Sequence, residues 1–159
     1  VQSGWESWSR TLTDKLNYQL PPKMSSCPAY PRGDLTWQSY GMPFLSSGKP
    51  LNWYQNNLPE QGDYFVTVTS SMKFIHTGKM KAPSTTIILG DTRSIVNWLS
   101  AGGWYYWMPA DIGEGGLGLN HGLYCNLSFG DGHAAAMSGA WLEQRNIGYI
   151  LNGNVLSFF

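Results

Sequence analysis

Apolar and polar side chains alternate with a period of two between residues 120 and 133, which read N-H-G-L-Y-C-N-L-S-F-G-D-G-H. This period predicts a half-buried β-strand. Gly130-Asp131-Gly132 supplies the positive-φ positions of a tight turn, and residues 133–137 can return as the partner strand. The stretch therefore predicts a β-hairpin bracketed by His121 and His133. The apolar side of its first strand is predicted to consist of Leu123, Cys125, Leu127 and Phe129.

Helical spacing occurs near the start of the chain. Trp5, Trp8, Leu12 and Leu16 recur on one face, which predicts an amphipathic helix over about 4–18 whose Trp face packs on a sheet.

Three further segments predict β structure. Phe65–Thr69 alternates and is rich in β-branched residues, and Thr85–Leu89 is an apolar run typical of a strand buried on both faces. Asn152-Gly153 predicts a hairpin turn between the apolar arms of residues 147–159. Between these segments, residues 23–64 predict a long irregular stretch, Ser94–Leu99 a short helical turn, and the glycines after Glu114 a loop.

Composition narrows the class of protein. The 159 residues predict one domain. Ten basic and ten acidic residues give zero formal charge, so no nucleic-acid partner is predicted. Nineteen glycines and nine prolines favour a loop-rich body with many strands. Cys27 and Cys125 can form one disulfide in an oxidising compartment or stay as two separate thiols, and the sequence leaves both open.

An H-x9-DG pattern runs from His121 through nine intervening residues to Asp131-Gly132. This pattern resembles the signature near the C-terminus of bacterial prepilin-like proteins, which are similar to the G-type major pseudopilin of type II secretion. Three further landmarks follow the family's order: Cys27-Pro28, Ser39-Tyr40-Gly41 and the segment 82–91. The resemblance covers about 5–137 and leaves 138–159 as a C-terminal extension.

The resemblance implies a pilin-like head of α+β fold over residues 1–159, with an N-terminal amphipathic helix packed on an antiparallel β-sheet and long irregular loops. It implies a structural subunit rather than an enzyme. The head would be periplasmic or extracellular in the cell envelope, and the full-length protein would be anchored in the inner membrane by a helix absent from this chain. The implied partners are other pilin-like subunits or the secretion machinery.

The family also has a calcium site in a C-terminal loop. Only Asp111 and Glu114 are acidic in the corresponding loop here, and they do not form the dense oxygen cluster that calcium needs. No cofactor is therefore predicted, with calcium as the alternative.

Four side chains of the signature region could carry chemistry: Asp91, His121, Asp131 and His133. Imidazoles beside carboxylates serve as bases or metal ligands in many enzymes. We expect His121 and His133 to be near neighbours across the hairpin and Asp91 to meet one of them. The favoured interpretation is that these groups, with Gly132, lock the turn by hydrogen bonds. A bound cation or a metal-dependent hydrolase are the alternatives, although no H-E-x-x-H, G-x-S-x-G or Walker pattern occurs in the sequence.

Aromatic side chains suggest one more function. Trp104, Tyr105 and Trp107 lie in the densest aromatic run, and flat aromatic faces stack on sugar rings. A glycan-binding module with these three residues on its surface is the second hypothesis. The competing interpretation is that they fill the core.

Overall fold

The computed structural model describes residues 40–43, 54–67, 73–95, 103, 106–109, 115–151 and 154–156. Within these ranges the chain forms eleven short strands. They are β1 (Met42–Pro43), β2 (Phe65–Thr67), β3 (Lys73–Ile75), β4 (Ile87–Gly90), β5 (Thr92–Ser94), β6 (Tyr106–Trp107), β7 (Gly115–Gly118), β8 (Tyr124–Phe129), β9 (Ala134–Ser138), β10 (Tyr149–Leu151) and β11 (Asn154–Leu156).

Helical structure in the described ranges is short. Residues 54–57 are helical, and two 3-10 helices span Pro59–Gln61 and Thr77–Lys79. The helix Gly139–Glu143 directly follows β9, and its first turn is capped by Ser138, whose Oγ accepts a hydrogen bond from the Trp141 N–H at 3.3 Å.

The predicted α+β fold class is wrong, because the described residues are mostly β and contain no long helix packed on a sheet. The glycine and proline content of the chain favours the short strands and turns that are seen. The helix predicted over 4–18 lies outside the described residues.

The predicted hairpin is confirmed. β8 and β9 pair antiparallel, with Leu127 opposite Ala135, and β4 pairs antiparallel with the other side of β8. Burial along β8 alternates as expected, since Cys125, Leu127 and Phe129 are buried. Leu123 departs from the prediction: it precedes the strand and is 63% exposed.

A second sheet has the strand order β11-β10-β7-β5. Its C-terminal hairpin, β10 and β11, is confirmed, although the turn at 152–153 lies outside the described residues. The loop predicted after Glu114 is wrong over Gly115–Gly118, which form the buried strand β7. Ser94, predicted to begin a helical turn, is the last residue of β5. Strand β7 lies between two neighbours in this sheet, where glycines allow close packing.

Two small sheets contain the remaining strands of the described ranges. β2 and β3 pair antiparallel, and β1 pairs parallel with β6. One hydrophobic cluster receives side chains from all four sheets. In it, Tyr54 lies edge-on to Phe65 and Trp107, with ring centroids 4.9 and 6.2 Å away. Aromatic side chains thus supply much of this core, together with leucines.

Candidate functional site

Asp91 lies where the chain passes from one sheet to the other. It is the single residue between β4, which pairs with β8, and β5, which pairs with β7. Its N–H donates to the Asn126 carbonyl at 2.9 Å, and its carbonyl accepts from the Gly118 N–H at 2.9 Å. The backbone of Asp91 therefore ties the three-stranded sheet β4-β8-β9 to the four-stranded sheet.

The Asp91 carboxylate strengthens the same junction. The side chain is completely buried, and Oδ2 accepts a hydrogen bond from the Asn126 N–H at 2.8 Å. Nε2 of His121 lies 3.4 Å from the same oxygen, and the His121 side chain is 33% exposed. A buried carboxylate is tolerated only when its charge is compensated by donors of this kind. The prediction that Asp91 meets a motif histidine is confirmed for His121.

Two further side chains contact the backbone at and beside Asp91. The amide Nδ2 of Asn120 donates to the Thr92 carbonyl at 3.3 Å, and Sγ of Cys125 lies 3.5 Å from the Asp91 carbonyl oxygen. A Cβ added at position 118 would lie 2.5 Å from the Asn120 Oδ1, so a larger residue there would require the Asn120 side chain to move. We refer to Asp91, His121 and Asn126 as the base of the hairpin.

The other imidazole–carboxylate pair lies at the opposite end, in the turn. The Asp131 Oδ1 accepts from the His133 N–H at 3.1 Å and lies 2.6 Å from His133 Nδ1. Gly132 between them has φ +92°, which favours glycine. The His133 imidazole stacks on Phe129 with ring centroids 4.4 Å apart. We refer to Asp131, Gly132 and His133 as the tip.

Electrostatics at the tip follow from the hydrogen bonds. The His133 side chain and then its backbone N–H stabilise the ionised Asp131 carboxyl, which lowers its pKa below the usual value. Both side chains face solvent, with 37% of the Asp131 side chain and 43% of the His133 side chain exposed. Of the two histidines predicted to lock the turn, His133 contacts Asp131 and His121 contacts Asp91 instead.

The expectation that His121 and His133 are neighbours is wrong. His133 lies opposite Phe129, whereas His121 bridges to Tyr124 at the other end of β8. A strand of six residues separates the two ends by roughly 20 Å. The four motif side chains therefore form two separate pairs rather than one catalytic or metal-binding centre. Within the described ranges, no group of three or more His, Cys, Asp or Glu side chains could hold a metal ion.

The remaining predicted site residues fall in different places. Trp107 is 1% exposed and belongs to the core, so the prediction that it lies on a contact surface is wrong. Trp104 and Tyr105 lie outside the described residues, and so do the calcium candidates Asp111 and Glu114. Cys125 is fully buried, while its predicted disulfide partner Cys27 also lies outside them, so the bridge stays a prediction.

Sequence reasoning missed the backbone roles of Gly118, Asn120 and Asn126. A usable signal was present, since the charged residue Asp91 directly follows the apolar run of residues 87–90. A carboxylate that is buried needs hydrogen-bond donors, and here the Asn126 N–H of β8 supplies one.

No family model, no curated protein and no solved structure matches this chain. The resemblance to prepilin-like proteins therefore depends on the motif residues. None of the helices in the described ranges has both the length and the apolar character needed to cross a bilayer.

Proposed function

We propose that this chain is the head of a pilin-like structural subunit, in which the H-x9-DG stretch is a folding scaffold. The proposal depends on one observation: backbone N–H groups donate hydrogen bonds to the acidic side chains of this region. Asp91 accepts from the Asn126 N–H at 2.8 Å, and Asp131 accepts from the His133 N–H at 3.1 Å. Carboxylates held in this way stabilise a conformation and do not need a substrate.

The wider role comes from the resemblance. The full-length protein would be anchored in the inner membrane by an N-terminal helix and would present this head in the periplasm or outside the cell. Its partners would be copies of itself, other pilin-like subunits or the type II secretion machinery. The order of the motifs from Cys27 to Asp131 supports this role.

The two alternatives have less support. A metal-dependent hydrolase would need converging ligands, and the base and the tip lie at opposite ends of β8. A glycan-binding surface would need exposed aromatic faces, and Trp107 is buried.

Fractionation of the native host tests the proposal. The full-length gene product, carrying an epitope tag, is expected in the inner-membrane fraction, with its head accessible to protease after the outer layers are removed. Crosslinking in intact cells is expected to join it to copies of itself or to other envelope subunits. Recovery in the cytoplasmic fraction, from a gene that encodes no hydrophobic helix, would contradict the proposal.

A further inference from the structure

The tip contains the one Asp-Gly pair of the sequence, Asp131-Gly132. A peptide bond after aspartate can rearrange without an enzyme, because the next backbone nitrogen can close a five-membered ring onto the side-chain carboxyl. Glycine in the next position favours this reaction, since it has no side chain to hinder the approach. The turn of the hairpin therefore contains a peptide bond of the type that is most prone to form isoaspartate.

Ring closure at this bond is a condensation. The Gly132 nitrogen forms a bond to Asp131 Cγ, the bond from Cγ to the carboxyl hydroxyl breaks, and the hydroxyl and the amide hydrogen are lost as one water molecule. A second water then opens the ring. Opening at the Asp131 backbone carbonyl gives isoaspartate, in which the chain passes through Cβ and Cγ. Water is the sole co-reactant.

The surroundings of this bond are open to solvent. The Asp131 side chain is 37% exposed and the His133 side chain is 43% exposed. Gly132 is exposed as well, and beyond its two chain neighbours nothing lies within 4 Å of the place that a Cβ would occupy. Water and the ring intermediate therefore meet no steric barrier at the tip.

Hydrogen bonds of the native turn engage both reacting groups. The Gly132 N–H donates to the Phe129 carbonyl at 3.0 Å. The Asp131 Oδ1 accepts from the His133 N–H at 3.1 Å and lies 2.6 Å from His133 Nδ1. The nitrogen has to leave the Phe129 carbonyl before it can attack, and the carboxyl has to be protonated before a hydroxyl can leave. Each of these hydrogen bonds therefore slows ring closure.

His133 is held beside the carboxyl by a buried residue. Its ring stacks on Phe129 with centroids 4.4 Å apart and planes within 8° of parallel. Phe129 is 1% exposed, and its N–H donates to the His133 carbonyl at 2.9 Å. An ionised carboxylate only accepts hydrogen bonds, so Nδ1 donates in this contact. The imidazole thus favours the ionised carboxyl, which has no hydroxyl that can leave as water.

We propose that the Asp131–Gly132 bond is a covalent modification site, at which isoaspartate forms when the tip opens, and that His133 is the positioning residue that delays the reaction. Isoaspartate adds one atom to the backbone path between Phe129 and His133. The turn then loses the length that its two backbone hydrogen bonds require, so the modified hairpin opens from its tip. The reaction needs no partner and is independent of the proposed function.

Prolonged warm incubation at pH 6 tests the site, with isoaspartate at position 131 quantified by peptide mapping and electron-transfer fragmentation. We expect the folded chain to react at least about fivefold more slowly than the same chain unfolded in urea, since the tip has to open first. Equal rates in the folded and unfolded chain, or no isoaspartate at 131 in either, would overturn the proposal.

Two substitutions at position 133 test the positioning residue, each rate being divided by that of the same variant in urea. His133→Ala should raise the relative rate at least about threefold, because it removes one hydrogen bond and the stacking contact. His133→Asn keeps a donor at the δ position and should react more slowly than His133→Ala. If the alanine and asparagine variants react equally fast, the Nδ1 contact is not what delays the reaction.

His121→Ala is the matched control at the base. It makes the same substitution, but its imidazole contacts Asp91 instead of Asp131. Although it should lower the free energy of unfolding more than His133→Ala does, it should leave the relative rate at 131 unchanged. An increase as large as that in His133→Ala would show that the rate follows global stability, which contradicts the assigned role of His133.

Discussion

The hairpin contains the same pair of side chains at both of its ends, in opposite environments. At the base, the Asp91 carboxylate is completely buried and His121 is half-buried. At the tip, Asp131 and His133 are closer together, at 2.6 Å, but both face water. Water screens an exposed pair, whereas a buried carboxylate depends on each donor that it has. The longer contact is therefore expected to matter more for stability than the shorter one.

The largest effect is expected for Asp91→Ala. Removing the carboxylate leaves the Asn126 N–H without its acceptor and opens a cavity at the junction of two sheets. We expect the free energy of unfolding to fall by about 2–4 kcal/mol. Urea denaturation at pH 7 measures the change, with Asp131→Ala as the matched control at the tip. A larger loss in the control than in Asp91→Ala would reverse the comparison.

Glycines at the two ends provide a second comparison. A Cβ at Gly90 would lie 2.6 Å from Leu117 Cδ2 and 2.7 Å from Leu127 Cδ2, so Gly90→Ala should cost about 1–3 kcal/mol through overpacking. At Gly132 there is open space for a Cβ but φ is +92°, and Gly132→Ala should cost about 1 kcal/mol through backbone strain. Thermal unfolding of both variants measures the difference. Equal losses would mean that the leucines at the base move aside.

The stability losses of the two histidine variants are expected to differ by less than those of the glycine variants. His121→Ala removes the partner of a buried carboxylate that keeps its bond from Asn126, and the expected loss is about 1 kcal/mol. His133→Ala removes an exposed side chain and a stacking contact with Phe129, so its loss should be smaller. Denaturant midpoints at pH 7 compare the two variants. A greater loss for His133→Ala would show that the stacked ring stabilises the turn more than the base contact stabilises the junction.

The smallest effect concerns acid pH. The pKa of Asp131 is lowered in the folded state, so its contribution to stability is present above the unfolded pKa of about 3.9 and is lost as the pH falls through the folded value. In Asp131→Asn this contribution is absent, so the variant should lose less stability than the wild type below about pH 4. Melting temperatures across the acid range measure the difference. Parallel curves would show that the His133 hydrogen bonds do not favour the ionised carboxyl.

Local patterns predict only part of this molecule. The alternation in Tyr124–Phe129 and the Asp-Gly turn identify the hairpin, because both depend on neighbouring residues alone. The passage from β4 to β5 is different: Gly90 and Asp91 mark the end of a strand, but nothing local shows that the next strand pairs in a different sheet. Gly115–Gly118 reads as a loop, because a glycine-rich strand is stabilised by its neighbours in the sheet rather than by its own side chains.

In the candidate site, too, one contact could be predicted from neighbouring residues and the other could not. The contact between Asp131 and His133 spans two residues and could be predicted from the turn. The pairing of Asp91 with Asn126 joins residues that are 35 positions apart, and it depends on the register between strands.

Hydrogen exchange of two backbone amides in the unmodified chain tests the central claim most directly. The Asn126 N–H donates to the buried Asp91 carboxylate, and the His133 N–H donates to the exposed Asp131 carboxylate. If the base holds the two sheets together, the Asn126 amide should exchange only when the whole chain unfolds, and the His133 amide should exchange through local opening. Exchange of the Asn126 amide as fast as that of His133 would contradict the account.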